Sequence, residues 1–96
     1  MMNKDRIKKM EENLDLTNDL IKELKNDLKK FKSNKKKIYE LSKYYGSNDW
    51  YTDCENFDNS IKAGVLSEDL PYDALIELHS LAIDLISLGT DILKNE

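Results

Sequence analysis

His79, the chain's single histidine, is the first candidate for a general base or a metal ligand, because imidazole titrates near neutrality. It stands among Leu75, Leu78 and Ala82 at helical spacing, and nothing in the chain resembles the strained turn that presents a catalytic nucleophile. It reads as a packed or rim residue. Cys54, the single thiol, shares a helix face with Trp50 and Phe57, which marks a small core residue rather than an activated thiolate. Asp49 and Asp53 are four apart and could face a hard cation together. The calcium-loop pattern nevertheless fails, since neither Asp53 nor Asp58 is followed by Gly at the sixth position and Glu at the twelfth. With no glycine-rich phosphate loop and no zinc-protease pair either, the expectation is a protein that is not an enzyme, with no catalytic residue, no cofactor and no metal.

The densest chemical feature is aromatic. Tyr44, Tyr45, Trp50, Tyr51 and Phe57 fall within 14 positions, interleaved with Asp49, Asp53 and Asp58, and Asp69, Tyr72 and Asp73 follow. Large rings at a helix end fill the irregular space that aliphatic stripes leave, so a core-capping role is the plain reading. The sharper one is a partner-binding patch, because Trp and Tyr rimmed by carboxylates are what interaction hot spots look like. Its expected residues are Tyr44, Tyr45, Asp49, Trp50, Tyr51, Asp53, Asp58, Asp69, Tyr72 and Asp73.

Helices must position these groups. From Ile7 the apolar residues keep a seven-residue repeat, with Ile7, Leu14, Ile21 and Leu28 at one position and Met10, Leu24, Phe31, Ile38 and Tyr45 at the other. Thr17 and Lys35 interrupt it. That spacing draws a narrow stripe, the seam of a coiled coil or helical hairpin. The first helix is expected over about residues 3 to 45, ending at Gly46, which tolerates the left-handed conformation that closes a helix. Ser47 is an N-cap candidate for a short second helix over about 48 to 58, with Trp50, Cys54 and Phe57 on one face. Residues 59 to 66 read as a loop. The third helix, about 69 to 94, has two candidate starts, Ser67 or Asp69, because Pro71 biases Leu70 away from helical dihedrals. Its stripe of Leu75, Leu78, Ala82, Leu85, Gly89 and Ile92 is flanked by more apolar residues, so it is expected to be the more buried long helix. The architecture expected is all-α, a single domain over residues 1 to 96. It is an antiparallel helical hairpin or bundle with a long coiled-coil-like N-terminal helix, a short middle helix and a long C-terminal helix. At about 1.5 Å per residue the first helix spans about 63 Å and the third about 38 Å, so the first overhangs and a homodimer is favoured to cover it.

Charge divides along the chain. Residues 1 to 45 carry 13 basic and 8 acidic side chains, net +5, and residues 46 to 96 carry 2 basic and 11 acidic, net −9, for an overall −4. Lys29, Lys30, Lys32, Lys35, Lys36 and Lys37 form a basic run, but the chain's one arginine, Arg6, and its pI of about 5.0 argue against nucleic-acid binding. The reverse, a carboxylate-rich surface acting as a nucleic-acid mimic in a basic groove, is an alternative. No stretch of about 18 uncharged apolar residues occurs and the charged N-terminus lacks a secretory core, so no membrane association is expected. A lone cysteine fits a reducing cytoplasm.

The residues Leu41-Ser42-Lys43-Tyr44-Tyr45-Gly46-Ser47, then Asp49-Trp50 and Asp53, then Gly64-Val65-Leu66-Ser67-Glu68-Asp69 with Tyr72-Asp73 resemble domain-of-unknown-function family 4298. The resemblance covers roughly residues 3 to 94 and implies a small cytoplasmic helical protein of low-GC Gram-positive bacteria. Residues 59 to 63 depart from it, being shorter than the Pro-containing stretch such proteins often carry. It implies no activity and transfers no functional residue. The function expected from the residues themselves is a protein-interaction module presenting the acidic aromatic patch to a basic protein partner. A structural or regulatory homodimer without ligand is the alternative, and a metal-dependent or hydrolytic enzyme is disfavoured.

Overall fold

A computed structural model describes residues 2 to 95. The fold is all-α, with α1 over Lys4–Tyr44, α2 over Asn48–Asn56, a single 3-10 turn over Gly64–Leu66 and α3 over Asp69–Lys94, and no strand among the described residues. The chain divides into two compact units, Met1–Lys37 and Ile38–Glu96. The second helix stops at Asn56, two residues before the expected end, because Phe57 turns to extended dihedrals (φ −71°, ψ 129°).

The first unit is helix and little else. Asn3 opens α1 as its cap: the side-chain oxygen accepts the Arg6 amide at 3.0 Å and the carbonyl accepts the Ile7 amide at 3.1 Å. Helical hydrogen bonding runs unbroken through the polar interruptions of the seam. At the interruption Thr17 donates its hydroxyl to the Asn13 carbonyl at 2.7 Å, and off the seam Ser33 donates to the Lys29 carbonyl at 2.8 Å, each satisfied by the turn before it. No residue of α1 is buried.

The second unit holds the small core. Gly46 closes α1 with φ at +79°, and the Ser47 amide donates back to the Tyr44 carbonyl at 2.9 Å. Ser47 is then extended and its hydroxyl accepts the Trp50 amide at 3.2 Å, so one glycine and one serine carry the chain from helix to helix. Trp50, Cys54 and Phe57 do share the inward face, and Trp50 is the buried hydrophobic residue, 5% exposed. Its indole N–H donates to the Val65 carbonyl at 2.8 Å, and the Cys54 thiol donates to the Leu66 carbonyl at 3.5 Å, which fastens α2 to the 3-10 turn.

The start of α3 is decided by Ser67. Its backbone is extended (φ −76°, ψ 151°) and its hydroxyl accepts the Leu70 amide at 3.0 Å, while Glu68 is already helical (φ −68°, ψ −39°). Leu70 is helical despite preceding a proline. Pro71 falls in the first turn, where a missing N–H costs least, and is buried there. Gly64 lets the 3-10 turn lie close, since a Cβ at that position would come within 3.1 Å of Leu70 Cδ1. Leu75 and Leu78 are half-buried beyond it.

α3 is the more buried of the two long helices, since α1 buries no residue, but its coverage is partial. Leu81, Leu85, Leu88 and Ile92 are exposed, and Pro71 is the buried residue of the helix. The core that α3 joins is built by one short helix and one turn, so it reaches only the first turns of a 26-residue helix.

Two substitutions test this account of the core. Trp50→Ala removes a buried ring and strands the Val65 carbonyl, and is expected to cost about 3–5 kcal/mol. Gly46→Ala meets open space but must hold positive φ, and is expected to cost about 1–2 kcal/mol. Urea unfolding followed by circular dichroism checks both.

Candidate functional site

Three helix ends meet in the second unit, the C-terminus of α1 and the N-termini of α2 and α3, and a hollow of about 320 Å³ opens between them. It is lined by Tyr45 and Gly46 from the end of α1, Trp50 and Tyr51 from α2, and Glu68, Asp69 and Tyr72 from the start of α3. The rings stand edge to face. Tyr45 and Trp50 are 5.2 Å apart at 73°, and Trp50 and Tyr51 are 5.0 Å apart at 76°, within the favourable range for such pairs. Tyr45 is fixed by its hydroxyl, which donates to the Glu68 carbonyl at 3.1 Å.

Trp50 is the floor of this hollow and not a displayed anchor, because it is buried and its N–H is already engaged. Tyr51 and Tyr72 are the open rings, 59% and 53% exposed, and Glu68 and Asp69 are exposed carboxylate residues beside them. The Tyr45 phenol is held protonated above its usual range, first by burial and then by the Glu68 carboxylate. What the arrangement offers is apolar ring surface next to negative charge.

Of the ten residues expected in the patch, Tyr45, Trp50, Tyr51, Asp69 and Tyr72 come together around the hollow. Tyr44 and Asp53 form a pair of their own, the phenol donating to the carboxylate at 2.5 Å. Asp58 serves the loop, where its side-chain oxygen accepts the Ser60 amide at 3.0 Å next to Asn59 at φ +65°. That bonding to Ser60 lowers its pKa. Asp49 sits in the first turn of α2, where the helix dipole favours a carboxylate, and Asp73 is exposed on α3; neither lines the hollow. Glu68 and Gly46 complete the lining without having been among the expected residues. A signal for Glu68 existed: once Ser67 is taken as the cap, Glu68 and Tyr72 are four apart on one helix face.

Among the described residues no group of three or more His, Cys, Asp or Glu side chains could hold a metal ion, and no helix is long and apolar enough to cross a membrane. His79 is exposed on α3, and the Cys54 thiol is half-buried against the Leu66 carbonyl.

The Tyr44 pair is open to direct titration. Its hydrogen bond to Asp53, and secondarily burial, push the Tyr44 pKa up to about 12 from 10.0. A pKa raised on folding means that the pair stabilises the fold below pH 10 and that this stability is lost as pH rises from 10 towards 12. Phenolate absorbance is expected to show two late-titrating tyrosines, Tyr44 and Tyr45, of which Tyr44 returns towards 10 in Asp53→Ala, and stability in urea is expected to fall less over that pH window in the variant.

No curated protein matches the sequence. A family described as "Domain of unknown function (DUF4298)" matches residues 7–88, a span that runs from the first seam residue of α1 into the later turns of α3 and includes every residue of the hollow. The matched span includes Tyr44–Ser47 and Gly64–Asp69, the helix stop and the turn from which the hollow is built. The chain belongs to the DUF4298 family.

Proposed function

We propose that the chain is a small non-enzymatic interaction module of the cytoplasm, which offers the acidic aromatic hollow to a basic segment of a protein partner. The observation that carries this reading is the company of Glu68 and Asp69 with the open rings of Tyr51 and Tyr72 around one hollow. A lysine or arginine side chain entering it meets a carboxylate at its charged end and ring surface along its stem, and cation–π attraction adds to the ion pair. The net −9 of residues 46 to 96 draws a basic partner from a distance and speeds encounter. Trp50 beneath keeps the rings in place.

Self-association without a ligand is a second reading. It is favoured by one specific observation, the exposure of the apolar seam of α1 from Ile7 to Phe31.

Trp50 is the only tryptophan, so its emission reports on the hollow directly. Titration with basic, neutral and acidic peptides is expected to give saturable binding for the basic ones alone. Rising salt should weaken it steeply, and a Glu68→Lys, Asp69→Lys variant that stays helical should lose about tenfold or more in affinity, the scale of a broken charge pair. Equal response to all three peptides, or binding untouched by the variant, removes this reading.

A further inference from the structure

With Ile7 taken as position a of a heptad, α1 places Ile7, Leu14, Ile21 and Leu28 at a and Met10, Thr17, Leu24 and Phe31 at d. The seven apolar members of this seam are 41–52% exposed, and no residue of α1 is buried. Four heptads of seam are enough to sustain a coiled coil. Ile at two a positions, one of them followed by Leu24 at d, favours two strands, and no Ile stands at d from 10 through 31 to favour more.

The flanking positions distinguish the orientations. In a parallel, in-register pair each g residue faces the e residue five places on in the other strand. Arg6 then meets the partner's Glu11, and Asp27 meets the partner's Lys32, so opposite charges face each other at both ends of the seam. Between them, Asn13 meets the partner's Asn18, amide against amide, and Leu20 meets the partner's Lys25, whose aliphatic stem can lie along it. No like charges face one another, and two-fold symmetry makes each pair twice. The antiparallel alternative that pairs the full seam, Ile7 with the partner's Phe31, also sets Glu11 against the partner's Lys25 but places Lys4 against the partner's Lys32 on both sides. The next a position after Leu28 is Lys35, followed by Lys36 and Lys37, where two copies would repel. The favourable pairing therefore ends where the first compact unit ends, at Lys37.

From the exposed seam and this charge complementarity we infer that residues 4 to 32 of α1 close on a second copy of the chain as a parallel, in-register, two-stranded coiled coil. The inference rests on the self-association reading and adds its surface, orientation and register.

Sedimentation equilibrium of the full chain is expected to give twice the chain mass of 11.2 kDa. In a Cys54→Ser background, Leu14→Cys places the new thiols face to face at a parallel in-register a layer, so diamide oxidation should give a covalent dimer. Asn26→Cys, on the outer face of the helix about three turns further on, should not. Arg6→Glu should weaken the dimer by setting carboxylate against carboxylate, and Arg6→Glu with Glu11→Arg should restore it, circular dichroism confirming that each variant stays helical. A dimer that fails to cross-link through position 14, or that the charge swap does not restore, overturns the parallel register and leaves self-association standing. A monomer at high micromolar concentration, or an assembly larger than two, overturns the inference, and the monomer removes the self-association reading with it.

Discussion

The hydrogen bond from the Trp50 indole to the Val65 carbonyl, 2.8 Å long, is the constraint on which the second unit depends. A nine-residue helix is too short to be stable alone, and α2 exists because its inward face is pinned to something. The indole does this twice over, burying ring area and satisfying a carbonyl of the 3-10 turn. With the turn held, Leu66 is placed to accept from Cys54, and Ser67 is placed to cap α3. Tyr45 then reaches across from the end of α1 to the Glu68 carbonyl. A phenylalanine at position 50 would keep much of the apolar area but lose the donor, leaving a carbonyl unpaired in a part-buried site.

The hollow follows from this arrangement at no further structural cost. Because Trp50 draws the starts of α2 and α3 together, the residues that begin those helices are brought side by side, and helix starts favour carboxylates. Asp49, Glu68 and Asp69 thus have a local reason to be acidic, the helix dipole, before any partner is considered. Acidity at a helix start is ordinary. Exposed aromatic rings at the same place are less so, since Tyr51 and Tyr72 contribute little to the core beneath them.

How far the sequence disclosed this depends on whether the deciding interaction is local. Gly46 as a stop, Ser47 as a cap and the shared face of Trp50, Cys54 and Phe57 are consequences of neighbours within four positions, and all three are seen. Where two local signals conflicted, at Ser67 and Pro71, the answer came from outside the segment: the turn anchored by Trp50 leaves Ser67 extended and free to cap. The 3-10 turn itself is three residues long and gives no periodicity to read. α3 is the more buried long helix, as expected, but only over its first turns, and for a different reason. Apolar periodicity reports which face would gain from burial, whereas the extent of burial depends on how much other structure the chain supplies, and here that supply ends near Leu78. Likewise Tyr44 and Asp53 were legible as residues of the right type but not as a pair, because their bond depends on how the Gly46-Ser47 turn sets α2 against the end of α1, whereas the Asp58 bond to Ser60 is a local turn.

The charge division limits where two copies can meet. The hollow belongs to a stretch of net −9, and bringing two such surfaces together would oppose like charges over a wide area, with no basic residue but Lys62 and Lys94 to offset them. The seam of α1 is under no such penalty, since acidic and basic residues alternate along its flanks and Lys35, Lys36 and Lys37 follow the Phe31 layer. On the proposed reading, self-association is therefore directed to residues 4 to 32, and the acidic stretch is left available for a basic partner. A dimer joined in this way carries two hollows. Binding at one raises the effective concentration of the other for any partner with two basic segments, which strengthens a weak single contact without adding area to it.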